Sequence, residues 1–399
     1  MKESVGILYD NISGNTGDVA IGLSIKKILK DIGIGFDELI PGRFNPNNYD
    51  TIIIGGGHLI RPSPDFFYDK FKINGQHILN AVGIVGSPDD LDYLNDYKYI
   101  TVRSSWDKEQ LYYLNKEVHV VPCTTMLLED LENIPVLPKK KSLGIHLTPN
   151  FFSKEEEEEF IDWISTLPFK IYFLPITHYN QDYIYLNYLS SRLKESVLLP
   201  LMNPLEIFTF IGKLDFFISC SLHGAIFSYR HNIPFILFNY NEKMFYFMKD
   251  RGLQKYTFAN FKEMKSSFIT LFEDVPDYSE MISRDLRLLE KHVHNFREIL
   301  PSGDFPEQDK DKYATLNSYQ IHNLHSQIRA YESHLRFEGE EIAQIQQVLS
   351  NLDIRIASLI QELNEMRQAI TDRDGRIASL TQELNEMRQA ITDRDGRIA

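Results

Sequence analysis

The stretch "FISCSLHGAIFSYRHNIPFILFNYNEK", Phe217 to Lys243, reads as strand, turn, helix and strand. Its first apolar run ends in a polar knot, Ser219-Cys220-Ser221, and Leu222-His223-Gly224 follows at once. "PFILF" then supplies a second buried strand. Short β-branched and aromatic runs alternating with helical segments are the pattern of parallel strands joined by crossover helices. Such sheets take their ligands beyond the carboxyl ends of the strands. His223 stands there, and read alone it fits a packed corner as well as an active-site wall. Lys243 follows the next strand, twenty residues on. Successive parallel strands commonly lie side by side, so imidazole and ammonium are expected at one sheet edge, an anion site with a proton donor.

The same alternation runs outward in both directions. From residue 1 to about 137, "VGILYD", "TIIIGGG", "YKYITVRS" and "EVHVVPC" are strand candidates. "DVAIGLSIKKILKDIG" places Ile21, Ile25, Ile28, Leu29 and Ile32 at helical spacing. "NIPVLPKKK", Asn133 to Lys141, reads as a linker because Pro135 and Pro138 break either period. From 142 to 300 the pattern restarts with "SLGIHLTPN", "KIYFLPIT", "SVLLP", "DFFISCS" and "PFILFNY". Ser153 and Glu156 before "FIDWIST" form a capping box, so the run of glutamates reads as a solvated first helical turn. Two successive βα domains predict an α/β fold with two Rossmann-like halves in the GT-B-like manner and a site in the cleft between them.

A polar break over 301–320 leads into a third region, 321–399. Every seventh residue from Ile321 to Ile398 is Ile or Leu, and most matching d positions are apolar. That is a coiled coil in one register over about eleven heptads. "RIASLIQELNEMRQAITDRDG" at 355–375 returns at 376–396 with one change, Ile360 to Thr381. The repeat spans three whole heptads, so its duplication keeps the seam aligned. Ile at a with Leu at d favours a parallel pair, and the expectation is a homodimer.

The chain has 399 residues, 43% of them apolar, with a formal charge of −14. That suits a folded multidomain protein and argues against a general nucleic-acid binder, which needs clustered Lys and Arg. Only Cys123 and Cys220 occur, with no metal-ligand spacing, so neither a disulfide framework nor a metal site is expected. No signal peptide or membrane-spanning run is seen, and the expected location is the cytoplasm, with peripheral attachment at the inner membrane face left open.

Three further places join strand ends to polar or glycine residues. In "NISGNTGDVAIG", Asn15, Gly17 and Asp18 sit at a turn and helix start, where Asp18 serves equally as an N-cap or a ligand-facing acid. Gly55, Gly56 and Gly57 follow an apolar strand and admit either a ligand or close packing. His58 and Arg61 lie just beyond. Arg103 ends the strand of "ITVRSSWD", where it suits a surface ion pair or a carboxylate or phosphate.

In their order and spacing, "NTGDVAI", "IIIGGG", "ITVRSSWD" and "SLHGAIFSYRHNIPFILFNYNEK" resemble the polysaccharide pyruvyl transferase family over residues 5–255. The resemblance implies transfer of a pyruvyl group from phosphoenolpyruvate to sugar hydroxyls, giving a ketal and phosphate. Phosphoenolpyruvate is then a co-substrate, with no further cofactor or metal. It implies His223 as general acid and Asp18 as base, with Arg103 and Lys243 on the donor's anionic groups. Asn15, Gly17, Gly55, Gly56, Gly57 and Ser221 are the other implied binding positions. Two residues depart from the family: Ser221 stands where many members carry arginine, and Cys123 where many carry aspartate. The implied acceptor is a sugar or lipid-linked oligosaccharide, with polysaccharide-assembly proteins as further partners. Two other readings remain: a GT-B-like glycosyltransferase using a nucleotide sugar, and a non-catalytic scaffold displayed on the coiled coil.

Overall fold

The computed structural model describes residues 4–86, 88–132, 141–149, 151–178 and 181–300, and beyond them 346–347, 350–351, 358–361, 363–368, 370–377 and 379–388. The first half carries β1 (Val5–Leu8), α1 (Thr16–Asp31), β2 (Asp37–Leu39), β3 (Thr51–Gly55), β4 (Ile78–Val82), α2 (Pro88–Leu91), β5 (Tyr99–Val102), α3 (Ser105–Glu109) and β6 (Val118–Val120). All six strands pair in parallel, in the order β2-β1-β3-β4-β5-β6.

The second half repeats the plan. It runs β7 (Ser142–His146), α4 (Lys154–Thr166), β8 (Lys170–Phe173), α5 (Asp182–Ser191), β9 (Ser196–Leu198), α6 (Pro204–Ile211), β10 (Phe216–Ser219), α7 (Leu222–Arg230), β11 (Phe235–Phe238), α8 (Glu242–Lys249), β12 (Thr257–Phe258), α9 (Phe261–Glu273) and α10 (Ser279–Ile299). Its sheet is also parallel, ordered β12-β11-β10-β7-β8-β9. The expected α/β fold with two Rossmann-like halves is present, and β10 lies directly beside β11.

The strands are buried on both faces, which is why they read as unbroken apolar runs: Ile52, Ile53 and Ile54 are fully covered, as are Phe217 and Ile218. α4 starts as the sequence suggested, with Ser153 and Glu156 exchanging capping bonds. β2, β4 and β12 were not expected. β4 fills the place between β3 and β5, and its buried Asn80 breaks the apolar run that would have announced it.

The halves are joined by specific contacts. Thr16 N–H at the start of α1 donates to Ile176 O at 3.3 Å. Thr16 Oγ1 lies 2.9 Å from His178 Nε2. Asp250 after α8 accepts from Ser105 N–H at 3.0 Å and from Ser105 Oγ at 2.7 Å. α10 returns from the second half to the first, where His292 Nε2 meets Asn80 Oδ1 at 2.8 Å and stacks on Tyr99.

The chain divides into two compact units, Met1–His334 and Leu335–Ala399. In the second, residues 363–368, 370–377 and 379–388 are helical. The apolar seam there is bare: Leu363, Ile370, Ile377 and Leu384 at a, with Leu359, Met366, Leu380 and Met387 at d, are each 45–60% exposed. The linkers expected at 133–141 and 301–320 and the heptads at 321–345 and 389–399 lie almost wholly outside the described residues. No described helix is long and apolar enough to cross a membrane.

Candidate active site

A cleft of about 290 Å³ opens where the carboxyl edges of the two sheets meet. Its walls include Asn15, Asp18, Gly57, His58, Arg61 and Arg103 from the first half, and Ser221, His223, Tyr240 and Lys243 from the second. Both α7 and α8 begin here, so two positive helix ends add to the cations and favour an anionic ligand.

α1 positions the acid. Its N-cap is Asn15, whose Oδ1 accepts from Gly17 N–H at 2.9 Å, rather than Asp18. Asp18 lies one residue further into the first turn, free of capping, and faces the cleft. Burial raises its carboxyl to about 7, helped by the Asp10 charge and opposed by Lys243, Arg103 and Arg61. Near neutral pH the proton is therefore shared about equally between bound and free.

The glycine triplet divides its labour. A Cβ on Gly55 would fall 2.1 Å from Ile25 Cδ1, so this glycine lets α1 pack onto β3. Gly57 has φ +35°, and a Cβ there would fall 2.3 Å from Asp18 Oδ1. It is Gly57, between packing and chemistry, that makes room for the carboxylate. Gly17 does the same for the imidazole: its Cβ would fall 1.8 Å from His223 Nδ1.

His223 sits in the first turn of α7, capped by Ser221, whose side chain accepts from Gly224 N–H at 3.5 Å. Its Nε2 is 3.8 Å from Cys123 Sγ, and Sγ is 3.2 Å from Thr125 Oγ1. Burial, then Arg103 and Lys243, push the imidazole down to about 3, so the ring is neutral in the empty cleft. Of the two groups, the Asp18 carboxyl holds a proton more readily than the His223 imidazole in the empty cleft.

The cations converge from three elements. Lys243 is in the first turn of α8, lowered to about 8 by burial and by Arg103, with Asp18 opposing. An ammonium at a positive helix end is poorly placed for stability, and a bound anion would offset that repulsion. Arg103 packs against Gly83, where a Cβ would lie 2.2 Å from Nη2, and this nitrogen is buried with no hydrogen-bond partner among the described residues. Arg61, mentioned in sequence only as a neighbour of the triplet, stacks 4.1 Å over Tyr68 and lines the cleft. His58 is also here, pushed down to about 3 by burial and then by Arg103, Arg61 and Lys243.

Sequence reasoning missed Asp10, Tyr68, Thr148, Thr177 and Tyr240, all of which line the cleft. It also missed the support behind Thr177. Asp182 Oδ2 accepts from Ile176 N–H and Thr177 N–H, both at 2.7 Å, and from His146 Nε2 at 3.1 Å. Burial alone would raise this carboxyl; the hydrogen bonds and two histidines hold it well below the usual carboxylate range. An aspartate opening a helix after a strand was the available signal.

Residues 15–242 match a family model described as polysaccharide pyruvyl transferase. No curated protein matches the chain. Among solved structures, an uncharacterised protein from Klebsiella pneumoniae is 15% identical, covering 64% of this chain and 90% of its own, with a TM-score of 0.39. The UDP-GlcNAc 2-epimerase of Methanocaldococcus jannaschii is 13% identical over 73% of this chain and 100% of its own, TM-score 0.45. A UDP-N-acetylglucosamine 2-epimerase homologue from Listeria monocytogenes is 9% identical over 77% and 100%, TM-score 0.47.

Proposed function

The chain belongs to the polysaccharide pyruvyl transferase family, and from that premise we propose that it transfers a pyruvyl group from phosphoenolpyruvate to two hydroxyls of a sugar. The product is a pyruvate ketal on a cell-surface polysaccharide or its lipid-linked precursor. One observation carries the reading. Three cationic side chains, Arg61, Arg103 and Lys243, share one cleft with a proton-bearing carboxyl and a neutral imidazole.

The phosphate and carboxylate of the donor lie among the three cations, which removes the repulsion an incoming sugar oxygen would meet. Asp18 gives its proton to the methylene carbon, turning it into a methyl group and leaving an electron-poor carbon beside it. Neutral His223 takes the proton of the first hydroxyl as its oxygen adds to that carbon. The second hydroxyl adds as the C–O bond to phosphate breaks. Of the two hydroxyl protons, one replaces the proton spent on the methyl group and the other leaves with phosphate, so the site returns to its starting state.

The bare heptad seam takes a second copy of the chain in parallel register, making the enzyme a homodimer. The test of the chemistry is incubation with phosphoenolpyruvate and lipid-linked oligosaccharides, followed by phosphate release and mass analysis of the acceptor. A ketal-sized mass gain that is lost in His223→Ala supports the reading. Stabilisation by nucleotide sugars alone, with no donor-dependent phosphate release, would overturn it.

A further inference from the structure

The second half's catalytic imidazole is held by the first half. Gly17 lies against Nδ1, and Cys123 lies at Nε2 on the other side of the ring. Among the described residues, Cys123 Sγ is the sole hydrogen-bond partner of the His223 ring. Nδ1 is then the nitrogen left for a ligand in the cleft. Which proton state it offers depends on what Nε2 does.

The sulfur has its own neighbour. Thr125 Oγ1, two residues on, is 3.2 Å from Sγ, and both residues are buried. A thiol donates one hydrogen and accepts weakly through its sulfur. Either atom can donate in that contact; with Cys123 as the donor, the sulfur is left to accept from Nε2–H. That arrangement fixes the imidazole with its proton on Nε2 and its lone pair on Nδ1. It does so without a charge, since burial raises the Cys123 thiol further out of the thiolate range.

We propose that Cys123 is a positioning residue: through the relay His223 Nε2–H to Cys123 Sγ–H to Thr125 Oγ1, it presents Nδ1 of His223 as the lone pair that accepts the sugar hydroxyl's proton. This rests on the assignment of His223 to the proton-handling pair. A carboxylate in the same place would also accept from Nε2–H, and it would raise the proton affinity of the ring as well. The thiol orients without charging. The other groups facing the ring are Asp18 from α1, Arg103 after β5 and Lys243 from α8. Two of the three are cations and also disfavour the imidazolium.

The test is nitrogen NMR of the full chain labelled in histidine, read without substrate, beside the pH profile of kcat. In the wild type, His223 should give the Nε2–H tautomer. Cys123→Ala should yield a mixture of tautomers and lower kcat about tenfold. Cys123→Ser, which keeps a donor and acceptor at nearly the same volume, should restore the single tautomer. Cys123→Asp should move the titration of His223 up by at least about one pH unit, a tenfold change in its proton affinity. An Nδ1–H tautomer in the wild type, or a Cys123→Ala chain with unchanged tautomer and pH profile, overturns the proposal. Should the alanine chain fail to fold, the serine and aspartate chains carry the same comparison. The tautomer is read with no donor present, so a protein that shows it and yet releases no phosphate from phosphoenolpyruvate sinks the transferase reading and leaves standing only the positioning of the ring by Cys123.

Discussion

Replacing Gly17 by alanine separates packing from catalysis. The added Cβ would lie 1.8 Å from His223 Nδ1, 2.3 Å from Cγ and 2.5 Å from Cε1. Carbon contacts settle near ~3.5 Å, so ring and helix must part by roughly 1.7 Å. The ring has little room to retreat, because Cys123 Sγ is already 3.8 Å from Nε2. Overpacking of this kind costs about 1–3 kcal/mol. Against it, alanine in place of glycine in a helix returns up to about 1 kcal/mol. The net loss of stability is at most about 3 kcal/mol, a fall in Tm of less than about 12 °C. Catalysis suffers more, since a displacement near 1 Å costs on the order of a hundredfold in rate. Phosphate release and thermal unfolding, measured on the same preparation, should therefore diverge: kcat/KM down at least about a hundredfold, fold nearly intact. A Gly17→Ala protein with wild-type kcat/KM would refute the placement of His223 against α1 and the chemistry built on it.

Asp18→Asn should abolish phosphate release while raising Tm at pH 8 more than at pH 5. The folded carboxyl titrates near 7 against about 3.8 unfolded, so it holds a proton that the unfolded chain gives up, and stability falls as pH rises through that window. For the same reason kcat/KM should decline above pH 7, and decline again above pH 8 as Lys243 loses its charge; a flat profile from pH 6 to 9 would contradict the assigned proton inventory. Arg103→Lys should raise KM for phosphoenolpyruvate by about tenfold or more, as the forked contact is lost, with little change in KM for the acceptor. Leu363→Lys with Leu384→Lys should convert a dimer seen by sedimentation into a monomer with an unchanged melting profile of the α/β unit.

The turn that began with Ser219-Cys220-Ser221 was legible because a strand, a cap and a helix each have local rules. Ser221 caps α7, and β11 follows beside β10, as those rules require. Asp18 was visible as a residue but not in its role, since Asn15 three positions earlier is an equally good cap and took the place. The support of the cleft was hidden. Cys123 and His223 are a hundred residues apart, as are Ser24 and Thr124, whose hydroxyls meet at 2.7 Å between α1 and the turn after β6. No period in a sequence reports contacts of that range. The loop Thr177 to Asp182 was opaque for a different reason. His178 and Gln181 adopt positive φ of 49° and 64° without glycine, which the residue types do not announce.

The return of α10 to the first half has a consequence for biosynthesis. Asn80 and Tyr99 find their partners 212 and 193 residues later, on the last helix of the α/β unit. A ribosome that has released the first sheet must make nearly all of the second before that face is covered. Until then the amide of Asn80 and the ring of Tyr99 have no partner from α10. The first half is thus a late finisher in its own assembly, its Asn80 and Tyr99 face closed only when α10 docks.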